Sequence, residues 1–343
     1  MGTEAVGTEV RQPVMADVAK LAGVSHQTVS RVLNGAPHVR PGTRERVLAA
    51  IRELDYRPNS AARALVTRRS QTLGVVSFDS TLYGPASMLD GIERAARTAD
   101  YFVSVASLRS LDSRSVQEAV DRLLDQGVEG VAVIAPQISA VSALAKLSSP
   151  VPVVAVGSGS RSRMPMVSFD NRAGAEVATR HLLDLGHRTV HHLAGPAGWM
   201  ESRDRQDGWR QTLEAGGARV PRVGSGDWSA RSGYEAGRRI AHDPEVTAVF
   251  CANDHMALGL LRALHEAGRA IPGEISVIGF DDIPEAAYFT PPLTTVRQDF
   301  GELGRRALEL LLEELVGVAH ARNHVQISPE MVLRRSAGPA RRD

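Results

Sequence analysis

The stretch from Val14 to Asn34 constrains the chain most: two short helix-compatible runs are broken at Gly23, with Ala19 four residues before it and Val29 six after. Two helices crossing steeply over so short a turn need three things: a small residue at the contact, a turn residue tolerant of positive φ, and an apolar anchor on the second helix. Ala19, Gly23 and Val29 supply these in order. Ser25 stands where an N-cap belongs, so the second helix turns His26, Gln27 and Arg31 outward while Val29 and Val32 face a core. From about Thr43 to Leu54, Val47, Ile51 and Leu54 recur at i, i+4 and i+7, which predicts a third helix closing a three-helix unit. Arg57-Pro58-Asn59 ends it. Ser60 to Val66 is helix-compatible but shorter than the roughly dozen residues an isolated helix needs, so it is expected to order only on binding.

Charge separates this end from the rest. Residues 1–70 hold 11 Lys/Arg against 6 Asp/Glu, whereas 71–343 hold 29 against 33. The basic end is where a polyanion would bind. An outward helix carrying Gln27 and Arg31 has suitable chemistry for a DNA major groove, since Gln pairs with adenine N6/N7 and Arg with guanine O6/N7. The plain alternative is an ordinary αα-hairpin with a polar face; turn glycine, cap and basic character together favour DNA.

From Gln71 onward, short apolar strand-like runs alternate with longer helix-like ones, beginning Thr72–Ser77, Pro85–Asp100, Phe102–Ala106 and Val116–Gln126. A second series starts after Phe169. This βαβ cadence predicts parallel sheets in two similar lobes.

Asp17-Val-Ala, Ala22-Gly-Val-Ser, Thr28-Val-Ser-Arg31-Val-Leu-Asn34, Tyr56-Arg-Pro-Asn59 and Ala61-Ala-Arg-Ala-Leu65 together resemble the headpiece and hinge of the lactose-repressor family. Further matches are Leu193-Ala-Gly-Pro196, Gly226-Asp-Trp-Ser229, Ala252-Asn-Asp254, Gly279-Phe-Asp-Asp282 and Pro291-Pro-Leu-Thr-Thr295 with Gln298-Asp-Phe300, so the resemblance runs from about Val14 to Arg334. It implies an α/β chain: an all-α helix-turn-helix headpiece followed by a two-lobed core of doubly wound parallel sheets, like that of periplasmic sugar-binding proteins. The expected divisions are a tail at 1–12, a headpiece at 13–58, a hinge at 59–70, a core at 71–334 and a tail at 335–343. Within the core, the first lobe takes about 71–169 and 299–326, the second about 170–298 and 327–334.

The resemblance also implies a repressor that binds double-stranded, pseudo-palindromic operator DNA as a homodimer. Paired hinges would lie in the minor groove, Leu65 wedging into a base step and Ala62 at their close contact; the bland role for Leu65 is packing onto the next domain. The effector would be a small sugar or glycoside, galactoside-like or glucoside-like, between the lobes. Matching positions for its site are Arg203, Trp228, Asn253, Asp281, Gln298 and Phe300, with Phe169 in the wall. An Arg fork, an amide and a carboxylate suit vicinal hydroxyls, and an indole can cover a pyranose C–H face. Each has a bland role too: Trp228 as core, Asn253 or Asp254 as a helix cap. The pocket departs from the lactose-repressor pattern at Gly157, where an aspartate is expected, and at Phe78, where a serine is.

No cofactor, metal or enzymatic activity is expected. Asp281-Asp282 lacks a neighbouring His or third carboxylate, and no Gly-x-Ser-x-Gly elbow occurs. The single cysteine, Cys251, the absence of an apolar run of about 18 residues and the polar first dozen residues predict a cytoplasmic protein without membrane contact. No leucine heptad follows Arg334, so a dimer is expected rather than a tetramer. The alternative regulatory sign is a corepressor-type protein that needs ligand to bind DNA.

Overall fold

The computed structural model describes residues 13–33, 35–57, 69–78, 81–108, 110, 112–157, 164–317 and 324–341. The tail at 1–12 and the hinge positions Ala62 and Leu65 lie outside the described residues. The chain divides into two compact units between Ser70 and Gln71.

In the first unit, α1 (Met15–Ala22) ends at Gly23, whose φ of 61° lets the Val24 N–H donate to the Ala19 carbonyl at 3.0 Å. Only a residue without a Cβ adopts that conformation cheaply. α2 (His26–Leu33) starts at Ser25, whose Oγ accepts the Thr28 N–H at 3.2 Å. α3 (Pro41–Glu53) begins two residues before the expected start at Thr43, because proline at the first helical position gives up an N–H that would have no partner anyway. Val18, Val29 and Val47 are fully buried where the three helices meet, with Ala19, Ala22 and Tyr56 around them.

The second unit has two lobes. The first is a six-stranded parallel sheet in the order β2 (Phe102–Leu108), β1 (Thr72–Phe78), β3 (Val131–Ile134), β4 (Val153–Val156), β5 (Met166–Phe169) and β11 (His324–Ile327). Helices α4 (Tyr83–Thr98) and α11 (Phe300–Leu315) cover one face; α5 (Ser113–Asp125) and α6 (Ile138–Ala145) cover the other. Its position between two helical layers explains why β1 is buried at every residue from Leu73 to Phe78 and not at alternate ones. α4 and α11 touch at Gly91 and Gly304, where an added Cβ would fall 2.1 Å from backbone of the facing helix.

The second lobe is a parallel sheet in the order β7 (Gly224–Ser225), β6 (His191–Ala194), β8 (Ala248–Cys251) and β9 (Ser276–Ile278). α7 (Asn171–Asp184) and α8 (Met200–Ala215) lie on one face, α9 (Ala230–Ile240) and α10 (Asp254–Glu266) on the other. β10 (Thr295–Arg297) and β12 (Glu330–Val332) pair antiparallel beside it. The chain crosses between the lobes three times: from β5 into α7, from β10 into α11, and from β11 to β12.

Residues 335–341 correct the expected C-terminal tail. Ser336 is fully buried: its Oγ donates to the Val277 carbonyl at 2.6 Å and accepts the Thr294 N–H at 2.8 Å. The Gly338 N–H donates to Ser276 Oγ, and the Ala340 N–H donates to the Leu185 carbonyl. Their backbone groups satisfy polar groups at the edge of the second lobe, so this segment is part of it.

Candidate functional site

On the first unit, His26, Gln27 and Arg31 are all exposed on α2. Gln27 and Arg31 are one turn apart and share a face. Lys20, Arg40, Arg52 and Arg57 are exposed on the same unit, while Arg44 and Arg46 donate to the Ala36 and Ala22 carbonyls. The bond from Arg46 answers an end carbonyl of α1.

In the second unit a cavity of about 180 Å³ opens between the lobes. First-lobe residues Leu82, Tyr83, Pro85 and Pro136 form one side; Trp199, Glu201, Arg205, Trp228, Asn253, His255 and Asp281 form the other, with Gln298 on the crossover between β10 and α11. Its centre is Arg205, not Arg203. Arg203 is exposed and lies along a different cleft, two residues off the buried stripe of α8. Glu201, Arg205 and Trp209 recur on that stripe at four-residue spacing, so Arg205 points into the cavity and Arg203 away.

Arg205 is held by nearly every donor it has. Nε donates to Asn171 Oδ1 at 2.8 Å, Nη1 to the Ala252 carbonyl and to Asp281 Oδ1 at 3.4 Å, and Nη2 to Gln298 Oε1 at 3.4 Å. The Phe280 ring lies under the guanidinium at 3.7 Å. A guanidinium has five N–H groups, so one on Nη2 is left for a ligand. Burial pulls the Arg205 pKa down, and Asp281 and Glu201 push it back up. Burial raises the Asp281 carboxyl to about 6 against the pull of Arg205. Asp281 keeps Oδ2 as an acceptor.

Asn253 combines two roles: Oδ1 caps α10 by accepting the Met256 N–H at 2.9 Å, and Nδ2 donates to the Trp228 carbonyl at 3.0 Å. It thereby fixes the turn at Trp228, whose φ of 74° is rare for a bulky residue. The indole packs so tightly over Gly195 that a Cβ there would come within 2.3 Å of the ring. Among the described residues, Trp228 Nε1 and Gln298 Nε2 are buried donors without a partner, as expected of groups that wait for a ligand or water.

Phe78, Phe169 and Phe300 stand one layer behind the cavity. Phe78 packs on Trp199 at 6.4 Å, and Phe300 meets Tyr83 edge-on at 5.7 Å and Phe169 at 5.2 Å. They hold the aromatic walls without lining them. Arg205, Glu201, Trp199, Tyr83 and His255 escaped the reading of the sequence, although the spacing in α8 carried the signal for the first two. The Asp282 oxygens accept from Arg297 at 2.8 Å and Arg334 at 2.6 Å. Asp254, fully buried, accepts from the Ile283 N–H and Thr295 Oγ1, tying the loop of Asp281 to α10; burial and Asp281 hold its carboxyl well above the usual range.

A helix-turn-helix unit joined to a two-lobed α/β unit with a polar cavity between its lobes defines a DNA-binding transcription regulator. Residues 14–59 match the family model for bacterial regulatory proteins of the lacI family, and residues 179–337 match the periplasmic binding protein-like domain. The chain is 35% identical over 322 residues to the lactose operon repressor of Escherichia coli (strain K12), covering 93% of this chain and 89% of that one. It is 34% identical over 326 residues to the HTH-type transcriptional repressor PurR of Photobacterium profundum, covering 93% and 97%. Among solved structures, a lac repressor dimer bound to operator and the anti-inducer ONPF superposes with a TM-score of 0.84 at 34% identity, covering 96% of this chain and all of that one. The chain belongs to the lacI family of bacterial regulatory proteins. It is a DNA-binding transcriptional repressor, not an enzyme. Among the described residues no helix is long and apolar enough to cross a membrane.

Proposed function

We propose that the protein represses as a homodimer on a pseudo-palindromic operator and releases it when a neutral sugar or glycoside, galactoside-like or glucoside-like, enters the inter-lobe cavity. The observation that carries this reading is the cavity's mixture of groups: donors from Arg205 Nη2, Trp228 Nε1 and Gln298 Nε2 stand beside the Asp281 carboxylate and an indole wall. Vicinal hydroxyls donate and accept at once, and a pyranose C–H face needs one aromatic surface. The volume is below the roughly 300–1,000 Å³ of sites for drug-sized ligands, which suits a single ring.

His26, Gln27 and Arg31 read base edges in this account, and the segment at Ala62 and Leu65 enters the minor groove. The strand β1 begins at Thr72, seven residues after Leu65 in the sequence.

A purine corepressor is the second reading, favoured by the PurR relative at 34% identity. Against it, Trp199 and Trp228 meet edge-on at 75°, giving no parallel slot for a flat base. Operator titrations by fluorescence anisotropy test both, with methyl β-D-galactoside, methyl β-D-glucoside, hypoxanthine and guanine as probes. A glycoside that weakens operator binding supports induction. Tightening by a purine overturns it in favour of corepression.

A further inference from the structure

We infer that Glu201 is a specificity-determining residue of this pocket: its carboxylate accepts hydroxyls of the effector at the first-lobe side and turns anionic ligands away. The inference rests on the effector pocket proposed above and extends it.

Glu201 opens the first turn of α8, is only 6% exposed, and lines the cavity. Beside its carboxylate, the end of the first-lobe strand β4 presents Gly157, a residue without a side chain. β4 is followed by Gly157 at φ 136°, a conformation that side-chain-bearing residues rarely take. A Cβ placed there would lie 3.2 Å from the Ala135 carbonyl oxygen and 3.6 Å from Glu201 Oε1. The acid supplied from the second lobe therefore fills the space at the end of the first-lobe strand. Its backbone is fixed there. The Met200 N–H donates to the Pro136 carbonyl and the Ile138 N–H to the Gly198 carbonyl, both at 3.0 Å, lashing the start of α8 to the first-lobe loop.

Charge then decides the class of ligand. Among the described lining residues, Arg205 is the only arginine or lysine, and it already bonds Asp281. Burial holds His255 toward its neutral form. A phosphate or carboxylate would have to displace Asp281 and sit beside Glu201, two like-charge contacts in a poorly solvated space. A neutral polyol meets instead two carboxylates able to accept its O–H groups.

Trp199 and Trp228 line the cavity, so intrinsic fluorescence of the full-length protein reads binding directly. The probes are methyl β-D-galactoside, methyl β-D-glucoside, galactose 6-phosphate, glucose 6-phosphate, hypoxanthine and guanine, with wild type, Glu201→Gln and Glu201→Asp. Expected are a neutral glycoside that binds at least about tenfold tighter than the matching 6-phosphate in wild type, and a loss of about tenfold or more in its affinity in both variants, as for a hydrogen bond to a charged group. Circular dichroism melts check that the variants fold, and the wild-type comparison of neutral and phosphorylated sugars stands without them. A 6-phosphate that binds as tightly as its neutral counterpart overturns the inference and leaves a sugar pocket standing. So does a Glu201→Gln protein that keeps the wild-type affinity and discrimination. Binding of a purine but no glycoside sinks the sugar reading; Glu201 then stands only if Glu201→Gln weakens that purine about tenfold. Silence toward every probe overturns both.

Discussion

Arg205 and Arg203 differ by two positions and by everything that matters to a ligand. Arg205→Lys is expected to abolish the effector response, because a point charge cannot reproduce a fork that bonds Asn171, Ala252, Asp281 and Gln298 at once. Arg203→Ala, at an exposed position, should respond like wild type; anisotropy titrations with and without methyl glycosides check both. The resemblance pointed to Arg203, which does not line the cavity, because motif matching places residues one by one, whereas helical spacing from Trp209 back through Arg205 to Glu201 places a face. Asp281 adds a pH signature. Its carboxyl is raised to about 6 in the folded protein against an ordinary 3.8, so the folded state holds the proton longer than the unfolded one. Stability from this group is present below about pH 4 and is lost as pH rises through 6, by at most about 3 kcal/mol. Thermal melts at pH 5 and pH 7 should show that slope in wild type and a shallower one in Asp281→Asn. Equal slopes would contradict it.

At the scale of elements, the headpiece was legible because its constraint is local: one turn fixes Gly23, and the apolar spacing fixes Val29 and Val47. Gly23→Ala meets no neighbour within 4 Å, so its cost is that of a left-handed backbone alone, about 1–2 kcal/mol. Hydrogen exchange should show α1 and α2 less protected, while exchange in β8 and β9 stays as in wild type; unchanged α1 would contradict the turn. Less legible were features that need two distant segments at once. The close crossing of α4 on α11 at Gly91 and Gly304 joins residues more than two hundred apart in sequence. The final residues look like a polar tail, yet Ser336 and Gly338 complete hydrogen bonds with Val277 and Ser276 that only the folded second lobe presents. The aromatic pair of Trp199 and Trp228 was half visible for the same reason: each sits on its own loop, and only the assembled sheet sets them 5.7 Å apart.

For the whole molecule, operator binding is expected to be dimeric and steeply salt-dependent. Lys20, Arg31, Arg40, Arg52 and Arg57 are exposed on each headpiece, and every phosphate neutralised contributes about −0.9 to the log–log slope. Six to ten contacts per dimer give a slope of roughly −5 to −9; a flat salt titration on a palindromic site would contradict this. The central claim is that the cavity around Arg205 and the DNA-binding unit report on one another. Such coupling is typically worth about 1–3 kcal/mol, or about 5- to 150-fold, and must act equally in both directions. The most direct test is the affinity of the best-responding methyl glycoside, read from Trp199 and Trp228 fluorescence, in free protein and in protein saturated with operator. The account predicts that operator weakens glycoside binding by the same factor by which glycoside weakens operator binding; one glycoside affinity in both states, beside a changed operator affinity, would contradict it.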